Sequence, residues 1–252
     1  MSWKTHIEGG IATLTLDHPP LNILTRAVLG GLRESLAALA ATADLRVVLL
    51  TATGKHFSAG ADVGEHLPPE YAELIPEFCD TLESLVSFPL PVIAAVRGRC
   101  LGGGFELAMA ADVIVAGEGA TFGQPEILLG VTAPVACVLL PRLAQHGFAA
   151  ELLFTGDAVS STRARQAGAV QHVVADAAVE DEAMAIARRI ARHSAVAVRA
   201  TKQTLLDAAA RPRAEALRAA SDYYVNTLMN THDALEGLKA FLEKRPAAWR
   251  HQ

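Results

Sequence analysis

Short apolar runs alternate with amphipathic stretches along this chain, and that alternation restricts its possible folds more than any other feature. Ile11-Ala-Thr-Leu-Thr-Leu16 has a period of two, with Ala12, Leu14 and Leu16 on one face, and residues 17–20 (Asp-His-Pro-Pro) close it as a turn. After Thr25, an expected N-cap, Val28, Leu29, Leu32, Leu36 and Leu39 recur at steps of three and four, which predicts an amphipathic helix. Residues 46–52 then read as a buried strand. A helix over residues 71–86, a strand over 91–96, a helix from Gly103 and a strand over 112–116 follow. Strand, helix and strand in repetition require crossover connections, so the expectation is an α/β fold with largely parallel sheets. From about Ser194 the strands stop and three helical stretches follow. The last has Thr231 as cap, Asp233 in its first turn, Lys244 and Arg245 in its last, and Pro246 as a stop. The division expected is a core over residues 1–193 and a helical region over residues 194–252.

Composition narrows the class. With 252 residues, the chain can bury roughly 70–75% of its unfolded surface. Hydrophobic residues make up 51% and charged residues 19%, which excludes disorder, and the apolar runs fall short of the roughly 20 residues that cross a bilayer. No secretory signal is evident in the first ten residues, so the expected location is cytoplasmic, without a membrane partner. The net charge of −5 and the absence of a basic run argue against a nucleic-acid partner. Cys79, Cys100 and Cys137 show no C-x-x-C spacing and read as reduced packing residues. Cys100 has no histidine partner evident in the sequence, so it is not taken as a nucleophile. None of the nine histidines forms H-E-x-x-H, and no metal is expected.

Three segments carry residues suited to chemistry. Residues 99–111 place Gly102, Gly103 and Gly104 between a strand and an apolar helix, where a ligand can approach free N–H groups. No Gly-Lys-Ser/Thr follows, so this is not a nucleotide loop. Glu106 falls three residues after Gly103 and returns to the same helix face, so one patch can hold both an oxyanion donor and a base. Close packing of helix and strand explains such a triplet equally well. Residues 55–62 (Lys-His-Phe-Ser-Ala-Gly-Ala-Asp) form a small-residue turn whose Ala59 N–H is a candidate second donor facing that of Gly103; the alternative is a plain loop with Asp62 as a cap. Losing one of two such donors costs about 2.7–4 kcal/mol of transition-state stabilisation. Glu126 follows a proline amid apolar residues, where desolvation would raise its pKa toward that of a general acid.

The F-S-A-G-A-D, C-L-G-G-G-F-E-L-A and F-G-Q-P-E-I-L-L-G segments, in this order, resemble the enoyl-CoA hydratase/isomerase (crotonase) superfamily along nearly the whole chain. The resemblance implies a spiral of repeated ββα units with a C-terminal helical oligomerisation region, assembled as a homotrimer or a dimer of trimers. It implies an acyl-CoA thioester as substrate, with the N–H groups of Ala59 and Gly103 on the thioester oxygen. Glu106 and Glu126 become the acid/base pair of a hydro-lyase, and no cofactor is needed beyond the coenzyme A of the substrate. His56, Ala61, Asp62, Phe241 and Lys244 match positions at the coenzyme, the last two at its adenine and 3′-phosphate. A non-catalytic acyl-CoA- or RNA-binding relative is the competing class, disfavoured by the retention of both glutamates and by the acidic balance.

One stretch departs from the common hydratase pattern. Residues 130–143 replace the usual glycine-rich segment, and Pro134 stands where the family has a glycine whose N–H helps hold the catalytic water; proline has no N–H. This variant segment, residues 60–68 (Gly-Ala-Asp-Val-Gly-Glu-His-Leu-Pro) and the ending over residues 231–249 are similar to one branch, the cyclohexa-1,5-diene-1-carbonyl-CoA hydratases. The implied reaction is 1,4-addition of water to the ring, giving 6-hydroxycyclohex-1-ene-1-carbonyl-CoA. A general 2-enoyl-CoA hydratase acting on linear chains is the alternative.

Overall fold

The computed structural model describes residues 2–252. An antiparallel hairpin of β1 (Trp3–Glu8) and β2 (Ile11–Leu16) opens the chain, and α1 (Arg26–Ala40) starts where the Thr25 hydroxyl accepts the Val28 N–H at 3.3 Å. Its five buried residues are the Val and Leu stripe that the sequence predicts. β3 (Val47–Ala52) and β4 (Val92–Val96) enclose α2 (Tyr71–Val86) in sequence, and β6 (Val113–Gly117) and β9 (His172–Val174) complete a six-stranded sheet in the order β1-β2-β3-β4-β6-β9. From β2 to β9 every pairing is parallel.

Both faces of this sheet are covered, which is why β3 is buried along its whole length and mostly apolar. Val47 and Leu49 pack toward α7 (Val179–Ile190), while Val48, Leu50 and Ala52 join the larger core that contains α1 and α2. Fully burying each such Val or Leu contributes about 1.5–3 kcal/mol.

A second, three-stranded sheet of β5 (Arg99–Leu101), β7 (Thr121–Gly123) and β8 (Val159–Ser160) lies alongside, and it gives the fold its spiral character. Each turn contributes one strand to each sheet and then a helix: β4, β5 and α3 (Gly103–Met109); β6, β7 and the pair α4 (Pro134–Leu143) and α5 (His146–Thr155). The turn after β3 does the same in reduced form, with Ser58 bridging to Cys100 before α2. After the short α6 (Ser161–Gln166) and α7, the helices α8 (Ala195–Ala209), α9 (Arg213–Asn226) and α10 (His232–Leu242) end the chain.

Two expectations need correction. The strands stop at Val174 and not near Ser194; β5, β7, β8 and β9 have only two or three residues each, too few for a visible period. The last helix stops at Leu242, so Lys244 and Arg245 lie beyond it; Lys244 has φ +54°, a conformation that ends a helix rather than extends it. The basic residue in its last turn is Lys239.

Candidate active site

Backbone pairing between two turns builds the centre of the site. Ser58 N–H donates to Arg99 O at 3.2 Å and Leu101 N–H to Ser58 O at 3.1 Å, which lays the turn after β3 along β5. Gly103, the first residue of α3, comes to rest beside Ala61: a Cβ on Gly103 would stand 3.1 Å from Ala61 N and 3.2 Å from the Phe78 ring. Only glycine leaves that space open.

Ala61, not Ala59, therefore faces Gly103, and the hydrogen bonds give the reason. Leu24 N–H donates to Gly60 O at 2.9 Å and Asp62 N–H to Leu24 O at 3.0 Å, so the peptide groups on either side of Ala61 pair with Leu24. In a strand pairing successive N–H groups alternate, which turns the Ala61 N–H the other way. Ala59 N–H is engaged by Leu21 O at 3.0 Å. No acceptor for the Ala61 or Gly103 N–H exists among the described residues. The expected Ala59–Gly103 donor pair is thus corrected to Ala61–Gly103.

Both carboxyls reach the same place. Glu106, 3% exposed, accepts the Ala136 N–H at 2.7 Å through Oε1. Burial pushes its pKa up to about 8; the charge of Glu126 adds to the rise, and the N–H groups of Ala136 and Val135 oppose it. Glu126 sits on the single 3-10 turn Pro125–Leu129 and is half-buried. Burial raises its pKa, against the pull of its own N–H and of His66. Its Oε2 is buried without a partner, while Oε1 lies over Gly102, where a Cβ would collide with it; φ of +52° there also favours glycine.

Ala61, Gly103, Glu106, Glu126, His66 and Thr132 line one small cavity of about 20 Å³. Beyond Glu126, Thr132 and Ala133 lies an apolar chamber of about 260 Å³, walled by Ile127, Val131, Leu153 and Phe154. Gln124 also lines it, 1% exposed, with neither amide atom hydrogen-bonded. A larger cavity, about 570 Å³, lies among α8 and α10 and contains none of the candidate residues.

Other candidates fall elsewhere. His56 Nδ1 accepts the Arg99 N–H at 3.0 Å; its pKa is lowered by burial and then by Arg99 and Lys55, so the ring braces β5. The Asp62 carboxylate caps the following turn by accepting the Glu65 N–H at 3.0 Å. Phe241, 82% exposed, and Lys244 line neither cavity. Pro134 is the first residue of α4, where a missing N–H costs the helix nothing. The donor at this corner is Ala136, and it holds Glu106 rather than water. Cys100 is buried as expected, whereas Cys137 is exposed on α4 and not a core residue. Among the described residues no group of three or more His, Cys, Asp or Glu is placed to hold a metal ion, and no helix is long and apolar enough to cross a membrane.

Sequence reasoning missed the donor roles of Ala61 and Ala136 and the placing of His66 and Gln124 in the cavity walls. His66 and Gln124 stand inside segments that the sequence singles out. Their significance comes from which cavity they line.

Two converging N–H donors stabilise an oxyanion, and two carboxyls of different proton affinity can take a proton from water and give one to carbon. The enoyl-CoA hydratase/isomerase family model matches residues 6–252. A cyclohexa-1,5-dienecarbonyl-CoA hydratase of Thauera aromatica is 38% identical over 97% of this chain and 95% of its own length. A 2,3-dehydroadipyl-CoA hydratase of Escherichia coli K12 is 36% identical over 93% of each chain. Among solved structures, an enoyl-CoA hydratase of Bacillus anthracis superposes with a TM-score of 0.94 at 32% identity over 100% of both chains.

Proposed function

The chain belongs to the enoyl-CoA hydratase/isomerase family and is a hydro-lyase of the enoyl-CoA hydratase type; from that premise we propose that it adds water to a cyclic conjugated dienoyl thioester, cyclohexa-1,5-diene-1-carbonyl-CoA. The observation that carries this reading is the apolar chamber opening directly behind Glu126. A dry apolar cavity of about 150 Å³ takes up benzene, so about 260 Å³ accommodates a six-membered ring. The 38% identity to the Thauera aromatica enzyme supports the same substrate.

In this reading the thioester oxygen lies between the N–H groups of Ala61 and Gly103, which stabilise the dienolate. The roles expected from the sequence, Glu106 as base and Glu126 as acid, are exchanged in this reading because burial raises the Glu106 pKa to about 8: Glu126 removes a proton from the water as the water oxygen bonds the ring carbon β to the thioester. Glu106, which burial keeps protonated to about pH 8, delivers a proton to the far end of the dienolate. Phe241 and Lys244, exposed on one copy, meet the coenzyme bound by another in a trimer or dimer of trimers.

A general enoyl-CoA hydratase is the second reading, favoured by relatives such as the 2,3-dehydroadipyl-CoA hydratase. Comparing kcat/KM for the cyclic dienoyl-CoA and for crotonyl-CoA separates the two. The cyclic substrate is expected to win by well over tenfold, since shape alone gives roughly 10–200-fold per methylene. Comparable values on both substrates would replace the ring-specific reading with the general one.

A further inference from the structure

A third titratable side chain lines the small cavity and has no part in the chemistry above. Of the residues that line it, only Glu106, Glu126 and His66 carry an acid or base side chain. His66 Nδ1 lies 2.7 Å from Asp62 O, and because a carbonyl only accepts, that nitrogen carries the hydrogen. The neutral ring therefore presents a bare Nε2 on its opposite edge. The turn holding the ring is itself anchored, with Asp62 capping Glu65 N and the Glu65 carboxylate accepting the Arg26 N–H at 2.8 Å.

Glu126 needs such a neighbour. Its Oε2 is buried and unpartnered, and His66 lines the same small cavity. Glu106 is already held by Ala136. Glu126 and His66 both line this cavity of about 20 Å³. His66 is only partly buried and connects the wall to solvent.

Resting on the hydratase reading, we propose that His66 is the proton-exchange partner of Glu126, taking through Nε2 the proton that Glu126 removes from water and passing it to solvent. The balance closes. One water O–H bond breaks, the oxygen bonds carbon, and the proton goes to Glu126 and then to Nε2. The Glu106 O–H bond breaks as its proton goes to carbon, and Glu106 regains a proton from solvent. Only water has been added.

The test begins with wild-type hydration of the cyclic dienoyl-CoA and of crotonyl-CoA; failure on both removes the hydratase premise itself. With an active wild type, His66→Ala should lower kcat by about 10²-fold while KM changes less than about threefold. Added imidazole should restore at least about tenfold of the loss, as a proton carrier entering the vacated space and not as a repair of structure. His66→Gln keeps a donor for Asp62 O but carries no proton, so it should show the same loss without rescue, and it carries the test if the alanine variant does not fold. Wild-type kcat in either variant, or a loss in His66→Ala that imidazole does not relieve, would overturn the proposal.

Discussion

Glu106 binds a proton more tightly in the fold than in the unfolded chain, because desolvation outweighs the N–H donors at the start of α4. The stability linked to that proton is full below its ordinary value of 4.5 and is lost as the pH rises through about 8. Glu106→Gln should remove this slope, leaving a melting temperature less sensitive to pH between about 5 and 8 than that of the wild type. The same substitution should cut hydration by about 10²-fold with coenzyme binding retained. In the wild type, kcat/KM should fall as the pH passes about 8 and the acid is lost. A profile that instead rises through that pH would make Glu106 the base and Glu126 the acid.

Among the elements, α10 is tied down by one side chain. Asp233, 2% exposed in its first turn, accepts the Ser194 hydroxyl at 2.6 Å, the Arg250 N–H at 2.8 Å and the His251 N–H at 2.9 Å. It thereby joins the N-cap of α8 to the last residues of the chain. Burial alone would raise its pKa, but Ser194, Arg250, His232 and His251 outweigh it and hold the carboxyl at about 2. Asp233→Ala should cost about 1–3 kcal/mol by chemical denaturation, since it leaves these donors unpaired. For this lowered pKa the linked stability is present above 3.8 and is lost as the pH falls through about 2. The gap between variant and wild type should therefore close across that acid range; a gap that persists at the low end would mean that the carboxylate charge is not what holds the segment.

For the whole molecule, the C-terminal helices raise the question of assembly. Leu205, Leu217, Val225, Leu238, Phe241 and Leu242 are all more than half exposed. So much apolar surface in one region marks an interaction face rather than a solvent-facing tail. A trimer or a dimer of trimers is expected by light scattering, and removing residues 222–252 should cost assembly and solubility together. A monomer at micromolar concentration would contradict it.

Local periodicity was enough to determine β2, α1 and α2, because each repeats its own pattern over five or more residues, and an apolar run marked β3. Motif order was enough to bring Gly103, Glu106 and Glu126 together as candidates. The tertiary structure alone decided which N–H faces Gly103, since the choice between Ala59 and Ala61 depends on Leu21 and Leu24, more than 30 residues away in the chain. It alone gave Glu106 its partner in Ala136 and brought His66 to the cavity that Glu126 lines. The reason is physical: a repeat reports which face of an element is buried, whereas donor direction, desolvation and proton affinity depend on what distant segments bring to that face.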